Sequence, residues 1–278
     1  MKLGKFGIEI LSDGTFALDG GQMFGVVPKA LWERKLPADG RNRVRLGLNC
    51  LLVHTGTQNV LIETGIGDKF EPKFTDIYGV AKTTTLFVEL EKRGLKPDDI
   101  GAVINTHLHF DHCGWNTRVE NGRLIATFPR ARYYIQEGEW EHALHPTERD
   151  AASYRIDFFR PAENRTEFIR GSQEIMPGIR VEVLAGHTRD MQCVWIESEG
   201  ESACFIGDLV PTRMHLPYPW IMAFDLYPLE TLANKRRLLP QLAERNALVI
   251  FPHDVDEPCV RLREEDGKIV ADPVGLTA

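Results

Sequence analysis

The sequence predicts one domain of mixed strands and helices. Three observations carry this. Short apolar runs bounded by turn residues recur through the chain, helical spacing appears in a few segments, and no Gly-, Ser- or Pro-rich linker divides the 278 residues. A chain of this length buries enough surface to fold without staples.

The elements follow in order. Apolar-rich segments 5–11, 22–27, 44–54 and 58–63 read as strands, with Asp13-Gly14, Asp19-Gly20-Gly21 and Gly56 as turns between them. Leu86, Phe87 and Leu90 are spaced as on a helix, giving a helix over 84–94 that ends at Gly94. A strand over 102–105 follows. Further strands are expected at 131–135, 179–184, 192–197, 202–206 and 248–251, with two more around Gly267. Helices are expected at 137–144, 150–160 and 228–244, the last carrying Leu229, Leu232, Leu238, Leu239 and Leu242. Residues 138–172, rich in charge and aromatics, read as a helical insertion able to cover a site.

Bulk properties narrow the function classes. Lys and Arg total 33 against 40 Asp and Glu, a net charge of −7. A negative protein repels phosphate backbones, so nucleic acid is not the expected partner. No apolar run reaches 18 residues and the N-terminus lacks a signal-peptide pattern, so neither a membrane span nor secretion is expected. Five scattered cysteines (Cys50, Cys113, Cys193, Cys204 and Cys259) contain no CxxC pair and suggest reduced thiols and a cytoplasmic location.

The chemistry concentrates in Thr106-His107-Leu108-His109-Phe110-Asp111-His112, where four potential metal ligands fall within six residues. Imidazole and carboxylate without thiolate suit zinc, iron, manganese or cobalt. Alternation along an extended segment puts His107 and His109 on one side. A turn must then direct Asp111 and His112 to a second position, so two metals a few ångströms apart are implied. His187, Asp208 and His253 each follow an apolar strand, as the first motif does. Strand ends of this kind can converge on one edge of a sheet sandwich.

This order of H-x-H-x-D-H, Gly-His-Thr, Gly-Asp and a C-terminal His resembles the metallo-β-lactamase superfamily over about residues 44–255. The resemblance implies an α+β fold, an αββα four-layer sandwich of two mixed β-sheets flanked by helices. It implies one metal on His107, His109 and His187, the other on Asp111, His112 and His253, and Asp208 bridging both. Two divalent ions, zinc foremost with Mn2+, Fe2+ or Co2+ as alternatives, are then the cofactors. A metal-bridging hydroxide is the implied nucleophile, with Asp111 and Asp208 as catalytic carboxylates.

Several branches of the superfamily are disfavoured. The commonest zinc β-lactamases have Arg where His112 stands. Glyoxalase-type thioesterases add a helical domain, whereas only about 25 residues follow His253. His-Phe-Asp-His followed by Cys113-Gly114 resembles the lactonase and organophosphate hydrolase branch, in which homodimers are common. The resemblance thus implies a hydrolase of lactones or other carboxylic esters, in the manner of quorum-quenching enzymes. Thioesters, phosphotriesters or β-lactams remain alternatives on the same site, as does a non-catalytic metal-binding or redox-sensing protein. Two positions depart from the branch. Pro211 stands where the best-known lactonases carry a Tyr, so His215, Tyr218 or Tyr227 is expected to contact substrate instead, with Trp115 beside the motif. Glu63 stands where an Asp usually supports the metal loop, and its reach suits the same task. Phe24, Trp140, Phe158, Phe159, Trp220 and Phe224 are candidates for an apolar pocket.

Overall fold

The computed structural model describes residues 1–275. Two seven-stranded sheets face each other. The first runs, in spatial order, through Lys2–Leu3, Phe6–Asp19, Arg43–His54, Asn59–Ile62, Ile100–Ile104, Arg132–Gln136 and Thr166–Ile169. Its first four strands pair antiparallel and its last four parallel, so it is mixed. The second runs through Gln173–Met176, Ile179–Val183, Gln192–Ser198, Glu201–Phe205, Leu248–Ile250, Cys259–Glu265 and Lys268–Pro273. There only Glu201–Phe205 and Leu248–Ile250 run parallel.

Strand alternation explains the layers. Leu51, Val53, Val194, Ile196, Leu248 and Ile250 point into the core between the sheets. The intervening Cys193, Trp195 and Val249 point outward, where Leu238, Leu239 and Leu242 of helix Pro228–Glu244 cover them. Cys50 and Leu52 likewise face Leu86 and Leu90 of helix Leu86–Glu91. Burial on both faces is why these strands read as nearly continuous apolar runs. The predicted four-layer sandwich is therefore observed. No helix among the described residues is long and apolar enough to cross a membrane.

Some local expectations need correction. Residues 22–27 were expected as a strand, but Gly20–Phe24 is helical. The Asp19 carboxylate accepts from Gln22 N (3.0 Å), so Asp-Gly-Gly opens a helix rather than a hairpin. A Cβ on Gly20 would meet the Trp32 ring at 2.2 Å, which explains the glycine. Strand Phe6–Asp19 runs through Asp13-Gly14, and a register shift between Ser12 and Thr15 absorbs them as a bulge. The segment expected as a helix over 150–160 is broken into Ala151–Ser153, Ile156–Phe159 and Arg160–Arg165. Helix Pro72–Ile77 and the hairpin Thr117–Glu120/Arg123–Ala126 carry too few apolar positions to stand out in the sequence.

Candidate metal centre

All four ligand-bearing loops leave strands at one edge. Ile179–Val183 runs antiparallel to Gln192–Ser198, which runs antiparallel to Glu201–Phe205, which is parallel to Leu248–Ile250. The C-terminal ends of Ile179–Val183, Glu201–Phe205 and Leu248–Ile250 therefore lie together, delivering His187, Asp208 and His253. The facing sheet delivers the loop after Ile100–Ile104, which Gln192 N ties across by donating to Thr106 O (2.9 Å).

The side chains crowd as ligands around common centres do. His109 Nδ1 lies 3.0 Å from His187 Nε2, and His112 Nε2 lies 3.2 Å from His253 Nε2. Asp208 Oδ2 is 3.4 Å from His187 Nε2 and 3.6 Å from His112 Nε2, while its Oδ1 is 3.2 Å from His253 Nε2. Asp111 Oδ2 stands 3.5 Å from both His112 and His253. Ligands about 2.0–2.1 Å from a tetrahedral ion sit roughly 3.3 Å apart, close to these separations. Three overlapping groups form: His107, His109 and His187; His107, His112 and Asp208; Asp111, His112 and His253. His107 Nε2 and Asp208 Oδ1 are buried without a hydrogen-bond partner. Most buried polar atoms in proteins are paired, so unpartnered atoms aimed at these shared centres fit cations there.

Electrostatics point the same way. Burial, with the neighbouring imidazoles, holds His107 and His109 well below the ordinary imidazole range. Burial also opposes charge on His112, but Asp111, Asp208 and Glu63 outweigh it and raise its pKa well above the usual value. Burial would raise Asp208; His253 and His112 instead hold its carboxyl well below the usual range. A cation held by these residues would take the place of the protons these pairs share.

A second ring of groups orients the first. Glu63, in the left-handed region at φ 64°, accepts from Thr106 N (2.6 Å) and places Oε2 3.4 Å from His112 Nδ1. Asp225 Oδ1 lies 3.0 Å from His187 Nδ1, and Gly47 O accepts from His253 Nδ1 (2.8 Å). Glu139 accepts from Leu108 N (3.0 Å), the Tyr154 hydroxyl (3.1 Å) and the Thr188 hydroxyl (2.6 Å), so helix Glu137–Leu144 clamps two of the four loops, those that carry His107 and His187. Sequence reasoning missed Asp225 and Glu139. Gly114 follows the motif because a Cβ there would strike Ile66 C at 2.0 Å. Cys113 is buried with its thiol 3.3 Å from His109 O, a packing role.

A cavity of about 210 Å³ opens on His109, Asp111, His187, Asp208 and His253. Its apolar wall is Leu18, Met23, Tyr78, Phe110, Met222 and Phe224. Burial and the Asp111 carboxylate push the Tyr78 phenol up from its usual range. None of the four expected substrate contacts lines this cavity. Trp115 is buried and donates to Asp13 Oδ1 (2.9 Å). His215 is held between Thr212 Oγ1 (2.9 Å) and Met23 O (2.8 Å), with burial lowering its pKa to about 3. The Tyr227 hydroxyl accepts from Arg189 (3.2 Å), and Tyr218 packs on the outer core of the second sheet. Of the apolar candidates only Phe224 reaches the cavity; Phe24, Trp140, Phe158 and Phe159 are core, and Trp220 packs against it.

The sequence profile of the Metallo-beta-lactamase superfamily matches residues 44–253. The chain belongs to the metallo-β-lactamase superfamily. Among relatives of this superfamily, an N-acyl homoserine lactonase of Bacillus thuringiensis is 28% identical over 220 residues, which cover 75% of this chain and 81% of that protein. The crystal structure of a probable metal-dependent hydrolase from Staphylococcus aureus superposes with a TM-score of 0.93 at 30% identity, covering all of both chains. The dizinc quorum-quenching lactonase AidC, in complex with a product N-hexanoyl-L-homoserine, gives a TM-score of 0.80 at 21% identity over 100% of this chain and 97% of that one, a likeness of fold.

Proposed function

We infer that this chain is a metal-dependent hydrolase of carboxylic esters, lactones with an apolar arm foremost. One observation carries the reading: seven ligand-type side chains converge, and five of them, His109, Asp111, His187, Asp208 and His253, floor a cavity whose wall is mostly apolar. His107, His109 and His187 would hold one divalent ion, Asp111, His112 and His253 the other, with Asp208 between them. When bound, two such ions, zinc in the first instance, supply Lewis acidity toward a carbonyl oxygen and lower the pKa of water to about 7. The imidazoles bind as neutral donors, which leaves the centre net positive and suited to an oxyanion. Asp111, opening on the cavity, is placed to carry a proton toward the leaving oxygen. Leu18, Met23, Phe110, Met222 and Phe224 exclude water and suit an acyl arm. The lactonase relatives support the substrate class. Helix Glu137–Leu144 and the turns after it are read as the cover of the site within one domain. Five unpaired, buried thiols suit a reducing, cytoplasmic setting.

The test is the initial rate of lactone hydrolysis, followed by pH indicator, after loading with zinc, manganese or cobalt. Aliphatic γ- and δ-lactones and acyl-homoserine lactones form the panel, and Asp111→Ala is the blank. Metal-dependent turnover above the blank is expected. No turnover on any lactone or ester, with two metals bound, would overturn the reading and direct the search to thioesters and phosphotriesters.

A further inference from the structure

Ester hydrolysis builds negative charge on the carbonyl oxygen, and a fixed donor aimed there lowers the barrier. Apart from the proposed ligands, the polar groups lining the cavity are Gln22, Tyr78, Arg149 and Ser153. Gln22 and Arg149 are exposed, and Arg149 already donates to Ala223 O (2.7 Å). Ser153 closes the single turn Ala151–Ser153 and is partly exposed.

Tyr78 is held far more firmly. Its ring packs on Phe74 (4.4 Å between centroids) and on Phe110 (5.1 Å), the residue before Asp111. Its carbonyl accepts from Ala17 N (2.6 Å) and its amide donates to Phe74 O (2.9 Å). Three residues on, Ala81 exchanges two main-chain bonds with Thr15 (3.0 and 2.8 Å). Arg43 Nη1 donates to Asp76 O (2.6 Å) and Ile77 O (3.1 Å). The segment is thus stitched to strand Phe6–Asp19, and Gly79, at φ 52°, makes the turn that permits it. Among the described residues no hydrogen bond engages the Tyr78 hydroxyl. A half-buried phenol without a protein partner, fixed on the wall of a cavity that also exposes Asp111, is a donor available to a ligand.

We propose that Tyr78 is a catalytic hydrogen-bond donor whose hydroxyl binds the carbonyl oxygen of the substrate as charge builds there. The phenol keeps its proton, so it contributes orientation and electrostatic stabilisation and no proton transfer. This rests on the ester hydrolase reading above.

Tyr78→Phe keeps the ring stack and removes only the hydroxyl; Tyr78→Leu removes both. Zinc-loaded proteins are compared in kcat and KM on 4-nitrophenyl hexanoate and γ-decalactone. Separately, calorimetry measures the affinity of hexylphosphonate, a tetrahedral oxyanion that needs no turnover. Loss of one preorganised donor lowers kcat by about 100-fold or somewhat less for a half-exposed group. Tyr78→Phe is therefore expected to lose roughly 10–100-fold in kcat with KM changed little, and about tenfold in phosphonate affinity, with zinc content unchanged. Tyr78→Leu is expected to lose as much. Wild-type kcat and phosphonate affinity in Tyr78→Phe would overturn the proposal, as would a loss confined to Tyr78→Leu, which marks ring packing. If the wild type hydrolyses neither substrate, the hydrolase reading fails, and equal phosphonate affinity in wild type and Tyr78→Phe then overturns the donor independently.

Discussion

Replacing Asp225 by Asn removes one charge behind His187 and leaves the shape of the site intact. Asp225 is 3% exposed, 3.0 Å from His187 Nδ1, and accepts from the Thr231 hydroxyl at 2.6 Å. Its carboxylate fixes the imidazole so that Nε2 faces His109 (3.0 Å) and Asp208 (3.4 Å), and raises the basicity of that nitrogen. Losing such a partner costs about 10–100-fold in metal affinity, or about 1.4–2.8 kcal/mol. Asparagine still offers an oxygen to Nδ1–H, so Asp225→Asn is expected near the tenfold end. Alanine leaves Nδ1–H without that acceptor and frees the Thr231 hydroxyl inside the protein. Asp225→Ala is therefore expected near the 100-fold end, with a further stability loss of about 1–3 kcal/mol. Competition with a fluorescent zinc chelator reads both ions, and a circular dichroism melt reads stability. Two zinc ions bound at wild-type affinity by Asp225→Ala would refute the reasoning.

Other substitutions probe the remaining supports. Asp208→Ala, which removes the carboxylate between the two histidine groups, is expected to abolish turnover and lower metal content by mass spectrometry; wild-type turnover with two metals bound would contradict it. Glu63→Asp, one methylene short of spanning Thr106 N and His112 Nδ1, is expected to weaken zinc binding about tenfold in the same competition assay. Lys235 donates to His215 O, Pro217 O and Trp220 O (2.5, 2.9 and 2.9 Å), and burial lowers its pKa to about 7. A lysine with a folded pKa below its unfolded value near 10.4 binds fewer protons folded than unfolded between these limits. Its contribution to stability therefore rises with pH from about 7 to about 10. Urea melts across that window are expected to show this rise in the difference between wild type and Lys235→Met; a flat difference would contradict it.

The candidate ligand cluster is legible in the sequence because its signal is local and dense. Four candidate ligands within six residues need no tertiary information, and His187, Asp208 and His253 each announce themselves by following an apolar strand. The sheets then make those strand ends coincide. Asp225 and Glu139 gave no such signal. Asp225 is a single acid in an apolar stretch, Glu139 is one of three alternate glutamates, and the task of each depends on a partner 38 or 31 residues away. His215 and Trp115 misled for the converse reason. Both lie close to the site along the chain, yet each turns its polar nitrogen toward a partner elsewhere, Met23 O and Asp13.

The cavity wall was the least legible part, and its construction explains why. Leu18 and Met23 stand where a strand gives way to a helix capped by Asp19, Tyr78 follows a short helix, and Met222 and Phe224 lie in a loop. Ala223 N donates to Gln22 O (2.8 Å), and Leu226 N donates to His187 O (3.2 Å), so long-range main-chain pairing gathers these pieces. No periodic pattern records such pairing. The ligands, by contrast, sit at the ends of strands locked by two sheets, where a sequence signal and a rigid geometry coincide. A fold of this kind can keep its reactive floor while loops change the wall above it. Reaction chemistry is then readable from the chain well before substrate is, and the wall residues Tyr78, Met222 and Phe224 are where substrate choice is to be sought.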